Sequence, residues 1–157
     1  MSIIQISLMK MTSKKNKKIS QVVQVSKKKV PTQINLAEDD TGQIVWSFSL
    51  ADNNGKWGFK QLTEDQLHNL IFEELVSKES LNWNDLKTSK SHNILKSKII
   101  KEAQSRLEEL NMDDLDEIFS LRLNGKKRLW GIRQANVLRV LWWDPHHEIC
   151  PANKKHT

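Results

Sequence analysis

Residues 118–123, 127–133 and 137–143 each alternate apolar with polar or small side chains. Turn formers separate them, first Asn124-Gly125 and then Gln134-Ala135-Asn136. Alternation at period two puts Phe119, Leu121 and Leu123 on one face of a strand, whereas a helix would scatter them around its axis. Asn-Gly between two such runs is a strong hairpin signal, because both residues tolerate positive φ. The last third of the chain is thereby committed to an antiparallel meander. The first hairpin has two possible registers. A two-residue loop sets Leu121 beside Arg128, whereas a three-residue loop sets it beside Leu129 and pairs apolar with apolar, which is the expectation here. Asp144-Pro145 closes the third strand, and residues 148–150 could add a short fourth before Pro151.

Upstream the periodicity changes. Residues 44–50 read as a strand with Trp46, Phe48 and Leu50 on one face. Asp52-Asn53-Asn54-Gly55 then turns the chain so that residues 56–59 return as a hairpin arm. Thr63-Glu64-Asp65-Gln66 has the composition of a capping box, with Leu62 and Leu67 at hydrophobic-staple spacing. The helix behind it carries Leu67, Leu70, Ile71 and Leu75 on one face and should end near Ser77. A helical turn at 83–86 and a polar loop at 87–91 follow. Asn93 opens a second main helix to about Leu110, with Ile99, Ile100, Ala103, Leu107 and Leu110 as its apolar stripe. The expected fold is α+β: an N-terminal strand or hairpin, two main helices, and a C-terminal antiparallel sheet of three or four strands. One domain spans residues 41–157 behind a basic tail, residues 1–40.

Charge is distributed unevenly along the 157 residues. Residues 1–30 hold eight lysines and no acid, residues 31–119 nine bases against seventeen acids, and residues 120–157 eight bases against two acids. A polyanion would meet either end and not the middle. The tail holds too few apolar groups to offset ordering entropy, so it reads as a solvated disordered arm or as an arm that touches nucleic acid. The single cysteine, Cys150, excludes an intrachain disulfide. Mean hydropathy is −0.59. No apolar run approaches the ~20 residues of a membrane span, so no membrane partner is expected. Residues 1–18 place charge after their apolar stretch and offer no small-residue cleavage site, which points to a cytoplasmic protein.

On the meander sit Arg122, Lys126, Lys127, Arg128, Arg133 and Arg139, with no acid between Ser120 and Trp143. Six cations over three adjacent strands can hold phosphates at set spacings, releasing counterions as they do so. Trp142, in step with Leu138 and Val140, reads as core. Trp143, in step with Arg139, reads as an exposed platform for stacking an unpaired base. His146, His147 and His156 lie in the last twelve residues. Each alone could be an ordinary surface histidine, but a histidine in a basic cleft suits proton transfer near neutral pH. Their spacing with Cys150 matches no zinc motif, so no metal or other cofactor is expected. No glycine-rich phosphate loop and no nucleophile elbow is present, which argues against nucleotide hydrolysis and serine-type acyl transfer.

Arg128-Leu129-Trp130-Gly131-Ile132-Arg133, the turn at 134–136 and Val137-Leu138-Arg139-Val140-Leu141 resemble the arginine-rich strand pair of the RelE/ParE toxin superfamily. Lys154-Lys155-His156 falls where that family places its terminal basic and catalytic groups. The resemblance covers residues 43–157 by topology and 119–156 by motif. The chain has no tyrosine, whereas many ribosome-dependent members use one near the C-terminus; members of the HigB kind lean on histidine instead. The resemblance implies a metal-independent endoribonuclease toxin acting on RNA, including ribosome-bound messenger RNA, with an antitoxin protein as a further partner. In that chemistry a base helps the ribose 2′-hydroxyl attack phosphorus while cations stabilise the added charge. His147 or His156, with His146 beside them, are the candidates for base or acid. Arg122, Lys126, Lys127, Arg128, Arg133, Arg139, Lys154 and Lys155 are the candidates for binding RNA phosphates, and Trp143 for stacking. The alternative is a non-catalytic nucleic-acid-binding or partner-inhibiting protein of toxin-like fold, and a third reading is a purely structural interaction domain.

Overall fold

The alternation at 118–143 does form three strands, and two further segments extend them into one sheet. The structure is a computed structural model and describes residues 40–151. Strands β1 (Val45–Ser47), β2 (His92–Leu95), β3 (Glu117–Arg122), β4 (Arg128–Gln134) and β5 (Val137–Asp144) are arranged in the order β1-β5-β4-β3-β2. The pair β1·β5 is parallel and all other pairs are antiparallel. The fold is α+β, as expected, with a mixed sheet of five strands. Expectations for residues 1–39 and 152–157 fall outside the described residues.

The first hairpin takes the three-residue solution. Leu121 faces Leu129, and the Leu123 amide donates to the Lys127 carbonyl at 3.1 Å. Gly125 sits at φ 61°, where a side chain would be strained. The second hairpin turns through Ala135 at φ 52°.

Helices cover both faces of the sheet. On one face Leu70, Leu75, Trp83 and Leu86 pack on Phe119, Leu121, Leu129, Leu138, Val140 and Trp143. On the other, Ile99 together with Ala103 and Leu107 of α3 (Lys101–Glu109) packs on Ile118, Trp130, Ile132, Leu141 and Trp142. Trp83, Trp130 and Trp142 are fully buried. Each contributes about 4–6 kcal/mol of transfer free energy at ~25 cal/mol/Å². Among the described residues no helix is long and apolar enough to cross a membrane.

Three local expectations are corrected. First, residues 56–59 do not return as a strand. The Asp52 carboxylate accepts the Asn54 and Gly55 amides and curls the chain, while Trp57 turns into the core. This loop follows β5 beyond the end of β1: the Asp52 amide donates to the Leu141 carbonyl at 3.0 Å, and the Trp143 amide to the Trp57 carbonyl at 2.9 Å. With β1 ending at Ser47, Trp46 and Leu50 join different cores and Phe48 is left exposed.

Second, the helix expected from Asn93 begins only at Lys101. Residues His92–Leu95 instead pair with β3, whose edge amides and carbonyls would otherwise lack partners. Third, residues 148–150 form no strand, and Ile149 and Cys150 are a bend.

The capping box at Thr63 forms as read, with the Gln66 amide donating to Thr63 Oγ1 and the Thr63 amide to Gln66 Oε1. Helix α1 (Glu64–His68) then widens into a π-helical stretch, Asn69–Leu75, before a tight turn at Val76–Lys78. Leu70, Glu74 and Leu75 are buried, while Leu67 is left exposed. The turn expected at 83–86 is α2 (Trp83–Thr88), with its own capping box from Asn82 and Asp85.

Candidate functional site

The end of the sheet at the β3–β4 hairpin places three charged residues in one row. Arg122 faces Arg128 across the β3·β4 ladder, and Arg128 faces Asp144 across β4·β5. Directly opposed side chains share a face and lie about 5 Å apart at the backbone. The row depends on an irregularity. Trp130 pairs with Trp142 but Gly131 with Val140, so β5 carries one extra residue, Leu141. Leu141 and Trp142 therefore both enter the α3-side core, and the alternation is inverted beyond them. Asp144 is thereby brought into line with Arg128. A Cβ at Gly131 would lie 2.5 Å from the Arg139 carbonyl oxygen, so glycine is what allows the close approach.

The hairpin is held from the opposite face by Glu74, buried on the inner side of the π-helical stretch. Its carboxylate accepts the Asn124 amide at 3.3 Å, and the Lys78 and Lys127 ammonium groups lie 3.4 and 4.0 Å from it. Arg128 Nη1 donates to the carbonyls of Gly125 and Lys127. Burial, then the neighbouring charge of Arg122, lowers the Arg128 pKa, with Asp144 opposing. Neither Arg122 nor Arg128 has a carboxylate at ion-pair distance among the described residues.

Asp144 is fully buried and its carboxylate organises the next turn. It accepts the Glu148 amide at 2.9 Å, the Ile149 amide at 3.0 Å and Trp130 Nε1 at 3.3 Å. Amides engaged in this way cannot join a ladder, which is why no fourth meander strand forms. The turn carries His147 at φ 61°, in the left-handed region. Burial, then the charge of Arg128, with Arg122 adding to it and Asp144 opposing, lowers the His147 pKa from its ordinary 6.5. The imidazole is therefore mainly neutral at pH 7, next to two cations. A neutral imidazole beside two guanidinium groups can accept a proton while an anion is held alongside.

The other expected site residues are dispersed. His146 is exposed and lines a cleft that includes neither His147 nor the two arginines. Lys126 is exposed at the hairpin tip. Arg139 faces Ile132, four residues along β4 from Arg128, or about 13 Å away. Lys154, Lys155 and His156 lie outside the described residues. Cys150 is half-buried, and burial raises its thiol pKa, which disfavours the thiolate. Among the described residues no group of three histidine, cysteine or acidic side chains could hold a metal ion.

Two expectations for individual residues are corrected. Trp143 is 6 % exposed and packs with Leu138 and Val140, so it offers no stacking face. The extra residue in β5 inverted its parity. Arg133 has a side chain only 3 % exposed, 2.6 Å from the Asp40 carboxylate and 4.2 Å above the Trp83 ring. It is a structural cation. Replacing Arg133 with methionine should therefore lower the melting temperature, the lost cation–π contact alone contributing about 0.5–2 kcal/mol. The salt dependence of RNA binding should stay unchanged, and a reduced salt slope would return Arg133 to the binding surface.

Asp144 and Glu74 are the positioning residues that the sequence reading missed. Asp144 had a signal in an acid at the end of a strand directly before proline, a common start for a side-chain-capped turn. Glu74 lies at helical spacing from Leu67, Leu70 and Ile71, but an acid in that stripe gives no sign of the distant amide it holds. Searches of protein-family models, curated proteins and solved structures find no match to this chain.

Proposed function

We propose that this protein is a RelE-like endoribonuclease that cleaves single-stranded RNA by metal-independent transesterification at the Arg122–Arg128–His147 cluster. The observation that carries this reading is a neutral-biased histidine within electrostatic reach of two arginines that have no carboxylate at ion-pair distance among the described residues. In the reaction His147 takes the proton of a ribose 2′-hydroxyl. The 2′ oxygen forms a bond to phosphorus, the bond from phosphorus to the 5′ oxygen breaks, and that oxygen takes a proton from solvent. The products are a 2′,3′-cyclic phosphate and a 5′-hydroxyl. Arg122 and Arg128 bind the phosphate and stabilise the charge that accumulates on its oxygens. Asp144 keeps its oxygens occupied with N–H donors, so its part is to hold the turn in place.

Binding and cleavage test the reading together. Arg122→Gln with Arg128→Gln should weaken RNA binding and reduce the slope of log affinity against log salt by about 0.7 per arginine lost. Wild-type protein should release a cyclic-phosphate product in EDTA. An unchanged slope would remove the cluster as the binding surface. Salt-dependent binding with no cleavage would favour the non-catalytic nucleic-acid-binding alternative.

A further inference from the structure

Beside the 145–148 turn lies an open cleft of about 290 Å³, lined by Trp57, Gln61, Gln66, Trp143, Pro145 and His146 among others. This lies just below the ~300 Å³ at which small-ligand pockets begin, enough for one flat heterocycle and too little for a drug-sized ligand. Its polar groups are partly spent and partly open. Gln61 Nε2 donates to the Gly55 carbonyl, and Gln66 Oε1 accepts the Thr63 amide in the capping box. Gln61 Oε1 and Gln66 Nε2 hold no hydrogen bond among the described residues. One acceptor and one donor are therefore open on side chains whose other ends are fixed. Trp57 is 3 % exposed and its buried indole N–H has no hydrogen-bond partner among the described residues. The indole N–H groups of Trp46 and Trp83 share that condition but do not line the cleft.

We propose that this cleft is a nucleobase subsite for the nucleotide next to the phosphate held at Arg122 and Arg128, a proposal that rests on the RNA-binding reading of that cluster. The edge of every nucleobase presents a hydrogen-bond donor beside an acceptor, complementary to the open pair on Gln61 and Gln66. The exposed imidazole of His146 supplies a face for stacking. Because His146, which lines the cleft, is followed directly by His147, which does not and which feels the charge of both arginines, a base in the cleft and a phosphate at the arginines can belong to neighbouring positions of one strand. The buried tryptophans give the cleft an apolar wall, and Trp143 contributes to it without the exposure first expected.

The test uses two uncleavable probes and equilibrium binding: a 2′-O-methyl hexanucleotide, and the same backbone with every base removed. Wild-type protein should bind the intact strand at least ~10-fold more tightly, the lower range for engaging a single base. His146→Ala and Gln61→Met together should reduce that preference to within about three-fold, leaving affinity for the abasic strand unchanged. Equal binding of the two probes by wild-type protein overturns the subsite without needing any variant to fold, as does a full preference retained by the double variant. The phosphate reading fails separately. If Arg122→Gln with Arg128→Gln leaves affinity for the abasic strand intact, the cluster does not hold the backbone, whatever the base preference.

Discussion

Replacing His147 with alanine is expected to reduce RNA cleavage by ~10²–10⁴-fold while RNA affinity stays within a few-fold. The split follows from the roles proposed for the cluster. The arginines hold phosphate in the ground state and in the transition state, whereas a general base acts only as the proton moves. The pH profile adds a second readout. Because burial and Arg128 lower the His147 pKa, the wild-type rate should rise with pH through a midpoint below 6.5 and then level off. Arg128→Gln removes one of the two leading causes and should move that midpoint upward, whatever it does to the maximum rate. Full activity in His147→Ala would eliminate this histidine as the base. A midpoint above 6.5 in wild-type protein would contradict the electrostatics described for the turn.

The second large effect concerns stability. Asp52→Ala is expected to destabilise the fold by about 3 kcal/mol, the lower end for breaking a buried ion pair. Arg106 Nε and Nη2 each donate to the Asp52 carboxylate at 2.8 Å, and Trp142 Nε1 donates to it at 3.1 Å. The Asp52 side chain is 2 % exposed and that of Arg106 22 %. The lower end applies because Arg106 keeps solvent access and its pair with Glu109. Arg106 is the first cause of the fall in the Asp52 pKa from 3.8 to about 2. The sign follows from the folded-state pKa lying below the unfolded one. The carboxylate's contribution is complete above pH 3.8 and disappears as pH falls toward 2, where the folded state must take up the proton. Denaturant melts at pH 7 and along this acid limb should show both effects. A midpoint unchanged at pH 7 would mean that the loop at 51–58 contributes nothing to global stability.

What could be read in advance divides along a physical line. The meander, its first register and the Thr63 cap were legible because each depends on neighbours in sequence: matched apolar pairs, a glycine turn, a hydroxyl and an amide three residues apart. Arg122 and Arg128 were legible for the same reason, since a hairpin brings its own flanks together. The role of Arg133 was not. Its partners Asp40 and Trp83 are 93 and 50 residues away in sequence, and only the packed helices bring them close. Trp143 failed for a different reason. Alternation predicts faces only while the count of residues on paired strands is equal, and the extra residue in β5 breaks that count. Gly131, isolated within a strand pattern, was the available sign of a bulge. At 92–95 the local pattern fitted a helix, and an unpaired edge elsewhere in the fold decided for a strand.

The left-handed backbone at His147 has a consequence for anyone trying to improve this protein. A side chain held there costs on the order of 1 kcal/mol, and glycine would remove the cost. A screen for heat resistance would therefore reward replacement of the very residue to which the chemistry is assigned, and would give no warning that it had done so. On the proposed mechanism, thermostability and turnover are opposed at this one position. Engineering aimed at robustness should leave the turn after Asp144 alone and work on the distant half of the sheet.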